Sequence, residues 1–531
     1  MKLMALALAL LTCFTVGCNT SSGGGNDGYS LPVEYTEKTY PNDGVNAYEG
    51  VSPKSGLNST GKYLEVDGVP FLMLGGQLRT DFFVQLEGKG IDELDKYFRL
   101  ARDMNVTVVQ IPICWSDIET REGVYNAKYV EEYIKYCEKY ELKLELLWFG
   151  AYMCGVSVAG DDEHAGYVPH YILDDTIASG KYEYIPTKNG IVQYNGWLGR
   201  TYMIMPNGKN VIAREKAAVE FMMNSIYNYD KTHGGKHTVI GIQVENEPDM
   251  LLKPQDQHYA VGFNMTTDEV CDELVIHLDE IGKVIKNSQY KCYTRVNLTD
   301  RAYLSFLTEA LVETEGIDYV GLDPYNNNLK KIDGQLDALM INTNFPHIAE
   351  NGGEFINNDQ LELLAFTKGC GYEVFEVVTT YDPQLVDWEL RGVYHTDFSK
   401  KAHTQRLIDA NKIYRNGFLD IVLAGSSGNM LGFNLLTSGG MDKTTQTLTA
   451  NGVSVTHTTE NRGIAYATVR DKVVTVASTK EDTFKISKKV VYCEKGYYSL
   501  DGVWHKEETV KVKNNTLKVE ATAVYRMLLA E

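Results

Sequence analysis

Positive charge is what this chain is short of. Its 51 Lys and Arg stand against 71 Asp and Glu, a formal net charge of −20. A phosphate backbone or an anionic lipid surface would be repelled rather than neutralised, which excludes nucleic acid and favours a neutral ligand. The same balance serves plain solubility. Paired cysteines are also missing: the nine are scattered, with no C-x-x-C pair and no His at zinc-finger spacing, which argues against a structural metal. Cys114 in VVQIPICW and Cys292 in YKCYTRVN lie in apolar runs and read as buried free thiols. The eleven His show no clustering at strand ends of the kind a metal-dependent barrel hydrolase needs. Beyond the N-terminus, no apolar run approaches the length that crosses a membrane.

At the N-terminus, Lys2 precedes LMALALALLTCFTVG and Cys18, a short positive region followed by an apolar stretch too short to span. Residues 1–18 are therefore expected to be a signal peptide and lipobox, the apolar stretch being cleaved. Thr15-Val16-Gly17-Cys18 resembles the lipobox of bacterial lipoproteins, with Thr15 where Leu is usual. A lipid on Cys18 would be the sole membrane attachment of an exported outer-membrane or periplasmic lipoprotein, with plain secretion as the alternative. Residues 19–60, beginning NTSSGGGNDG, read as a flexible tether and N-terminal extension.

From residue 70 onward, short β-rich runs alternate with helical periodicity. Strands are expected at 69–76, 106–115, 142–150, 237–246, 290–297, 317–325, 345–351 and 371–381, with helices between them and a last helix at 401–416. Eight such units close a (β/α)₈ barrel over residues 61–416, with catalytic residues expected at the C-terminal ends of its strands. Residues 151–213 and 248–266 are long enough to overhang that face as functional segments. Residues 417–531 read as short alternating strands, a β-sandwich-like C-terminal domain without a catalytic constellation.

The fourth strand, in VIGIQVENEPDM, is apolar and then ends on Glu245-Asn246-Glu247. The seventh ends on Glu350-Asn351-Gly352, and in a closed barrel these two strands lie nearly opposite each other. Two facing carboxyls are what glycoside hydrolysis requires: an acid to protonate the leaving oxygen and an anion to meet the oxocarbenium-like centre, about 5–5.5 Å apart in a retaining enzyme. Glu245 competes with Glu247 as the acid if the strand stays extended through Asn246, and Glu354 competes with Glu350 as the anion. Trp115, Trp148 and Tyr152 stand at the ends of the second and third strands, where an aromatic ring stacks on a sugar or packs in the core. Glu119 is a sugar-hydroxyl ligand or a solvated loop acid.

IQVENE resembles the acid/base motif of glycoside hydrolase clan A, most closely that of the family 35 and family 42 β-galactosidases, and HIAENGG resembles the clan's nucleophile motif. VDGVPFLMLGGQLR, CWSDIETREGVYN, and LELLWFGAYMCG followed by YVPHYIL resemble family 35-like proteins in matching order, so the likeness covers about residues 65–380. It implies that Glu247 is the general acid/base, Glu350 the nucleophile, Asn246 a hydrogen-bond partner of the sugar 2-hydroxyl, and Tyr325 in GLDPYN the residue orienting Glu350. The implied activity is removal of a terminal β-linked galactose from an oligo- or polysaccharide by double displacement, without metal or organic cofactor. One departure bears on the sugar: AYMCGVS carries no acid where family 35 commonly has the Ala-Glu-Trp that reads galactose, so β-mannoside, β-glucoside and α-L-arabinopyranoside stay open. A reading from another class is a surface glycan-binding protein that kept the barrel and lost turnover. Retention of both glutamates argues against it.

Overall fold

The computed structural model describes residues 28–531 except 43, 46, 49–53, 81–90, 153–166, 173–179, 184–185, 188–189, 192, 197–198, 203, 253–265, 300–303, 342–343, 381–390, 436–443 and 462. The expected signal peptide, Cys18, part of the first long overhanging segment and most of the second lie outside the described residues.

Eight strands pair in parallel and in chain order: β1 (Leu74–Gln77), β2 (Val108–Cys114), β3 (Lys143–Phe149), β4 (Val239–Val244), β5 (Tyr293–Thr299), β6 (Tyr319–Asp323), β7 (His347–Gly352) and β8 (Gly371–Phe375). β8 pairs with β1, which closes the (β/α)₈ barrel. The helices covering it are α1 (Asp95–Asp103), α2 (Lys128–Lys139), α3 (Lys209–Thr232), α4 (Thr267–Asn287), α5 (Leu304–Val312), α6 (Leu329–Leu339), α7 (Asn358–Thr367) and α8 (Thr404–Asn416). The sequence dictates this layering: VVQIPIC of β2 is buried at every position, as a strand between a barrel interior and a helix layer must be. α4 starts where Thr266 and Glu269 form a capping box, each side chain accepting from the other's backbone N–H. Gly241 of β4 is fixed by close approach, because a Cβ there would stand 2.0 Å from the Tyr293 ring on β5.

The first expected strand, 69–76, is two elements. Val69–Phe71 belongs to an antiparallel sheet with Ser55–Leu57 and Leu64–Val66, and only Leu74–Gln77 enters the barrel. Leu64, Val66, Phe71 and Met73 pack on Val108, Ile240, Tyr293 and Tyr319, so this sheet plugs the N-terminal end of the barrel. Midway up, the interior is polar: Arg295 pairs with Glu145 and Glu373, donates to Gln243 Oε1 at 2.5 Å, and His347 Nε2 lies 3.1 Å from Glu373. All of these side chains are fully buried. Burial pushes Glu373 up to about 8, with Arg295 opposing it, so the layer depends on that one guanidinium.

The helical part runs past residue 416, where β structure was expected to begin. FLDIVLAG forms α9 (Phe418–Gly425), and the first C-terminal strand is Met430–Phe433. A six-stranded and a four-stranded antiparallel sheet then enclose their own core, including Phe433, Val455, Val476, Phe484 and Tyr525. α9 ties this all-β part to the barrel through Asp420, which meets Arg470 at 2.5 Å, Arg526 at 3.0 Å and Thr475 Oγ1 at 2.6 Å. Burial would raise the Asp420 carboxyl, but Arg526 and Arg470 hold it below the usual carboxylate range. Among the described residues the cysteines are free and buried, and no helix is long and apolar enough to cross a membrane.

Candidate active site

The residues at the C-terminal ends of β1, β4, β5, β6 and β7 converge. Glu350, the fourth residue of β7, is buried, and both its oxygens are held: Tyr325 Oη donates to Oε2 at 2.6 Å and Gln77 Nε2 donates to Oε1 at 2.9 Å. Burial pushes its carboxyl up, while the Tyr325 hydrogen bond, the positive Arg79, the Gln77 hydrogen bond and Arg295 pull it back. Tyr325 follows β6 with φ +42°, a left-handed conformation that a bulky residue adopts only when its surroundings impose it.

Asn246 and Glu247 follow β4. Asn246 Oδ1 accepts from Gln243 Nε2 at 3.0 Å and from Asn297 Nδ2 at 2.9 Å, while the Glu247 backbone N–H donates to Asn297 Oδ1 at 3.0 Å. Asn297 Nδ2 also donates to Asp323 Oδ2 at 2.5 Å. Asn297 of β5 therefore locks the end of β4 to the end of β6. Asp323 is pushed well above the usual carboxylate range, first by burial and then by the charges of Glu350 and Glu247. The same two charges raise Tyr325 beyond what burial does. The charges of Glu350 and Glu247 are thus both felt at the end of β6. Glu247 is half-buried where Glu350 is buried.

Glu245 does not share this space. It has φ +65° and Glu247 has φ +42°, so the extended backbone stops at Val244 and the alternation that would align the two glutamates is broken. Glu245 turns into the layer between barrel and helices, where Gly150 N–H donates to its Oε2 at 3.0 Å. Glu354 lies in the turn after β7, partly buried, and is raised by burial.

Glu119 and the three strand-end aromatics, for which a sugar contact was one of two expectations, are all fully buried. Glu119 is fully buried, paired with Arg214, and accepts from Trp115 Nε1 at 3.1 Å and from Gly123 N–H at 2.7 Å. Trp115 and Trp148 are fully buried in the main core, and Trp148 Nε1 donates to Glu215 Oε1 at 2.8 Å. Tyr152 is buried edge-on to the His277 ring at 4.9 Å between centroids. Conversely, Gln77, Arg79, Asn297 and Phe375 were not singled out by the sequence. Arg79 lies 5.5 Å over the Phe375 ring, and Arg391 lies 5.0 Å over the Tyr325 ring. The available signal was positional: a polar residue in the last turn of a barrel strand or just after it faces the site.

A cleft of about 810 Å³ lies at the other end of the barrel, lined by Lys38, Arg102, Lys143, Thr238, Arg415 and His505. It contains neither glutamate and sits against strand beginnings, where side chains support the fold.

The family model of a domain of unknown function (DUF4978) matches residues 274–436. No curated protein matches the chain. Among solved structures, the chain is similar to an exo-β-1,4-mannosidase from Opitutaceae bacterium strain TAV5, at 12% identity and TM-score 0.46, over 67% of this chain and 62% of that one. It is similar to a family 39 glycoside hydrolase from the gut symbiont Bacteroides cellulosilyticus WH2, at 13% identity and TM-score 0.43, over 88% and 84% of the two chains. It is also similar to a β-galactosidase from the Antarctic haloarchaeon Halorubrum lacusprofundi, at 12% identity and TM-score 0.44, over 65% and 58%.

Proposed function

We propose that the protein is a retaining glycoside hydrolase that removes a terminal β-linked sugar from an oligo- or polysaccharide. The observation that carries this is Glu350: a buried carboxylate at the end of β7, gripped through both oxygens by Tyr325 and Gln77; the reading takes Glu247, just after β4, as its partner. The grip fixes the anion for in-line attack, and the more exposed Glu247 exchanges protons with water. In the first step a Glu350 oxygen bonds to the anomeric carbon, the glycosidic C–O bond breaks, and Glu247 gives its proton to the leaving oxygen. In the second, Glu247 takes a proton from water, whose oxygen attacks the anomeric carbon and releases Glu350. Asn246, held by Gln243 and Asn297, presents its amide to the sugar 2-hydroxyl. The residues themselves carry out the whole cycle, so no cofactor enters it.

The motif resemblance in the sequence makes β-galactoside the first substrate, with β-mannoside, β-glucoside and α-L-arabinopyranoside as the rivals. The test is nitrophenol release from these four aryl glycosides, with NMR of the first-formed sugar. One glycoside cleaved with retained anomeric configuration supports the reading. First-formed product of inverted configuration contradicts it. Export with a lipid on Cys18 belongs to the same reading, and fractionation of the wild type beside Cys18→Ser tests it: loss of the membrane-bound fraction is expected.

A further inference from the structure

Three titratable side chains that the reaction does not use meet one layer outside it. Glu215 comes from α3, Glu245 follows β4 and His277 comes from α4, and all three are fully buried. Each carboxylate is anchored by one oxygen only. Trp148 Nε1 and Ala151 N–H donate to Glu215 Oε1 at 2.8 and 3.4 Å, and Gly150 N–H donates to Glu245 Oε2 at 3.0 Å. The remaining oxygens, Glu215 Oε2 and Glu245 Oε1, each lie 3.5 Å from His277 Nε2, and none of these three atoms has a hydrogen-bond partner. All three ligand atoms fall within 4.8 Å of one another.

The two separations from His277 Nε2 are long for a hydrogen bond and fit a shared ion. Donors bound at about 2.0–2.2 Å in tetrahedral directions stand about 3.3–3.6 Å apart. The anchoring hydrogen bonds are those a metal site needs, since they fix which oxygen of each carboxylate points inward. Gly150 is part of the construction: a Cβ there would stand 2.0 Å from Glu215 Oε1 and 2.6 Å from Glu245 Oε1, so glycine lets the backbone approach. We propose that Glu215, Glu245 and His277 form a buried structural site for one divalent transition metal ion, with zinc favoured by the two-carboxylate, one-imidazole donor set.

The electrostatics are in keeping with this. Burial pushes Glu215 up to about 8 and Glu245 up to about 7, and pushes His277 below its ordinary value, so the imidazole is neutral and able to ligate. Two buried carboxyls this close hold either a shared proton or a cation. A cation would clamp α3 and α4 onto the end of β4, two residues from Glu247.

The test uses the full chain and reads metal and unfolding rather than turnover. Protein dialysed against zinc and then against buffer is assayed by mass spectrometry of metals, followed by thermal unfolding with and without a strong chelator. The expected result is about one zinc per chain, a lower Tm after chelation, and recovery on adding zinc. His277→Gln and Glu215→Gln are expected to lose the zinc. Cobalt loaded in place of zinc should give the absorption of a four-coordinate site. No zinc retained and a Tm indifferent to zinc and chelator would overturn the proposal and leave a proton-sharing carboxyl pair. Full zinc retention by folded His277→Gln would overturn it as well, since the ion would then sit elsewhere. If both variants fail to fold, the wild-type measurements decide alone.

Discussion

Glu245 and Glu247 are two residues apart and end in different chemistry. Glu247 stands at the barrel mouth, half-buried, with its backbone N–H on Asn297 and its charge felt by Asp323 and Tyr325. Glu245 is fully buried between barrel and helices beside Glu215 and His277. The strand period of two would put them on one face. Left-handed backbone at both positions separates them instead, and the locking of Asn246 to Asn297 and Gln243 holds the turn in place. The end of a barrel strand is thus where periodicity stops being a guide to direction.

The largest effect separates the two glutamates. Glu350→Ala should lower kcat by about 10⁴-fold or more and Glu247→Gln by about 10²–10⁴-fold on the best aryl glycoside. Glu245→Gln should instead lower Tm and leave kcat within about threefold. Loss of turnover in a folded Glu245→Gln protein would break the comparison.

Next comes the interior layer below the site. Arg295→Met leaves the buried Glu145 and Glu373 without their cation, at a cost of about 3–5 kcal/mol in urea unfolding. A neutral result would mean the two carboxyls hold protons without Arg295.

Tyr325→Phe removes one charged hydrogen bond, worth about 1.5–3 kcal/mol, or about 10- to 150-fold in kcat/KM. Its sign in pH is fixed. The Tyr325 hydroxyl lowers the Glu350 carboxyl, so removing it raises Glu350, and the acidic limb of kcat/KM moves to higher pH because the nucleophile must be ionised. An unmoved acidic limb would detach Tyr325 from Glu350.

The smallest expected effect on turnover concerns Glu119. Glu119→Gln breaks the pair with Arg214 and lowers Tm, while KM stays within about twofold because the side chain faces protein. A large rise in KM would restore it to the sugar site.

Much of this was legible before the structure. The barrel shows in the alternation because strands covered on both faces must be apolar throughout, and Glu247 and Glu350 stand out as charges ending such runs. The aromatics at strand ends stayed open between sugar and core because a strand-end position does not say which way a side chain turns: Trp148 points toward Glu215 on α3, in the helix layer. α9 escaped because FLDIVLAG is short and apolar, a pattern that reads as strand or helix alike. The run at 69–76 conceals two strands because it is apolar across the break at Leu72-Met73. Gln77, Asn297 and the Glu215–Glu245–His277 cluster were invisible because each depends on elements far apart in sequence meeting at one end of the barrel or against its flank.

The central claim is that Glu350 forms a covalent bond to the sugar. Incubation with a 2-deoxy-2-fluoro glycoside bearing a good leaving group, in the sugar series the wild type cleaves, followed by peptide mapping, tests it most directly. The account predicts a fluoroglycosyl label on the peptide carrying Glu350. A label on Glu354 or Glu247, or no label while the unsubstituted glycoside is turned over with inversion, would contradict it.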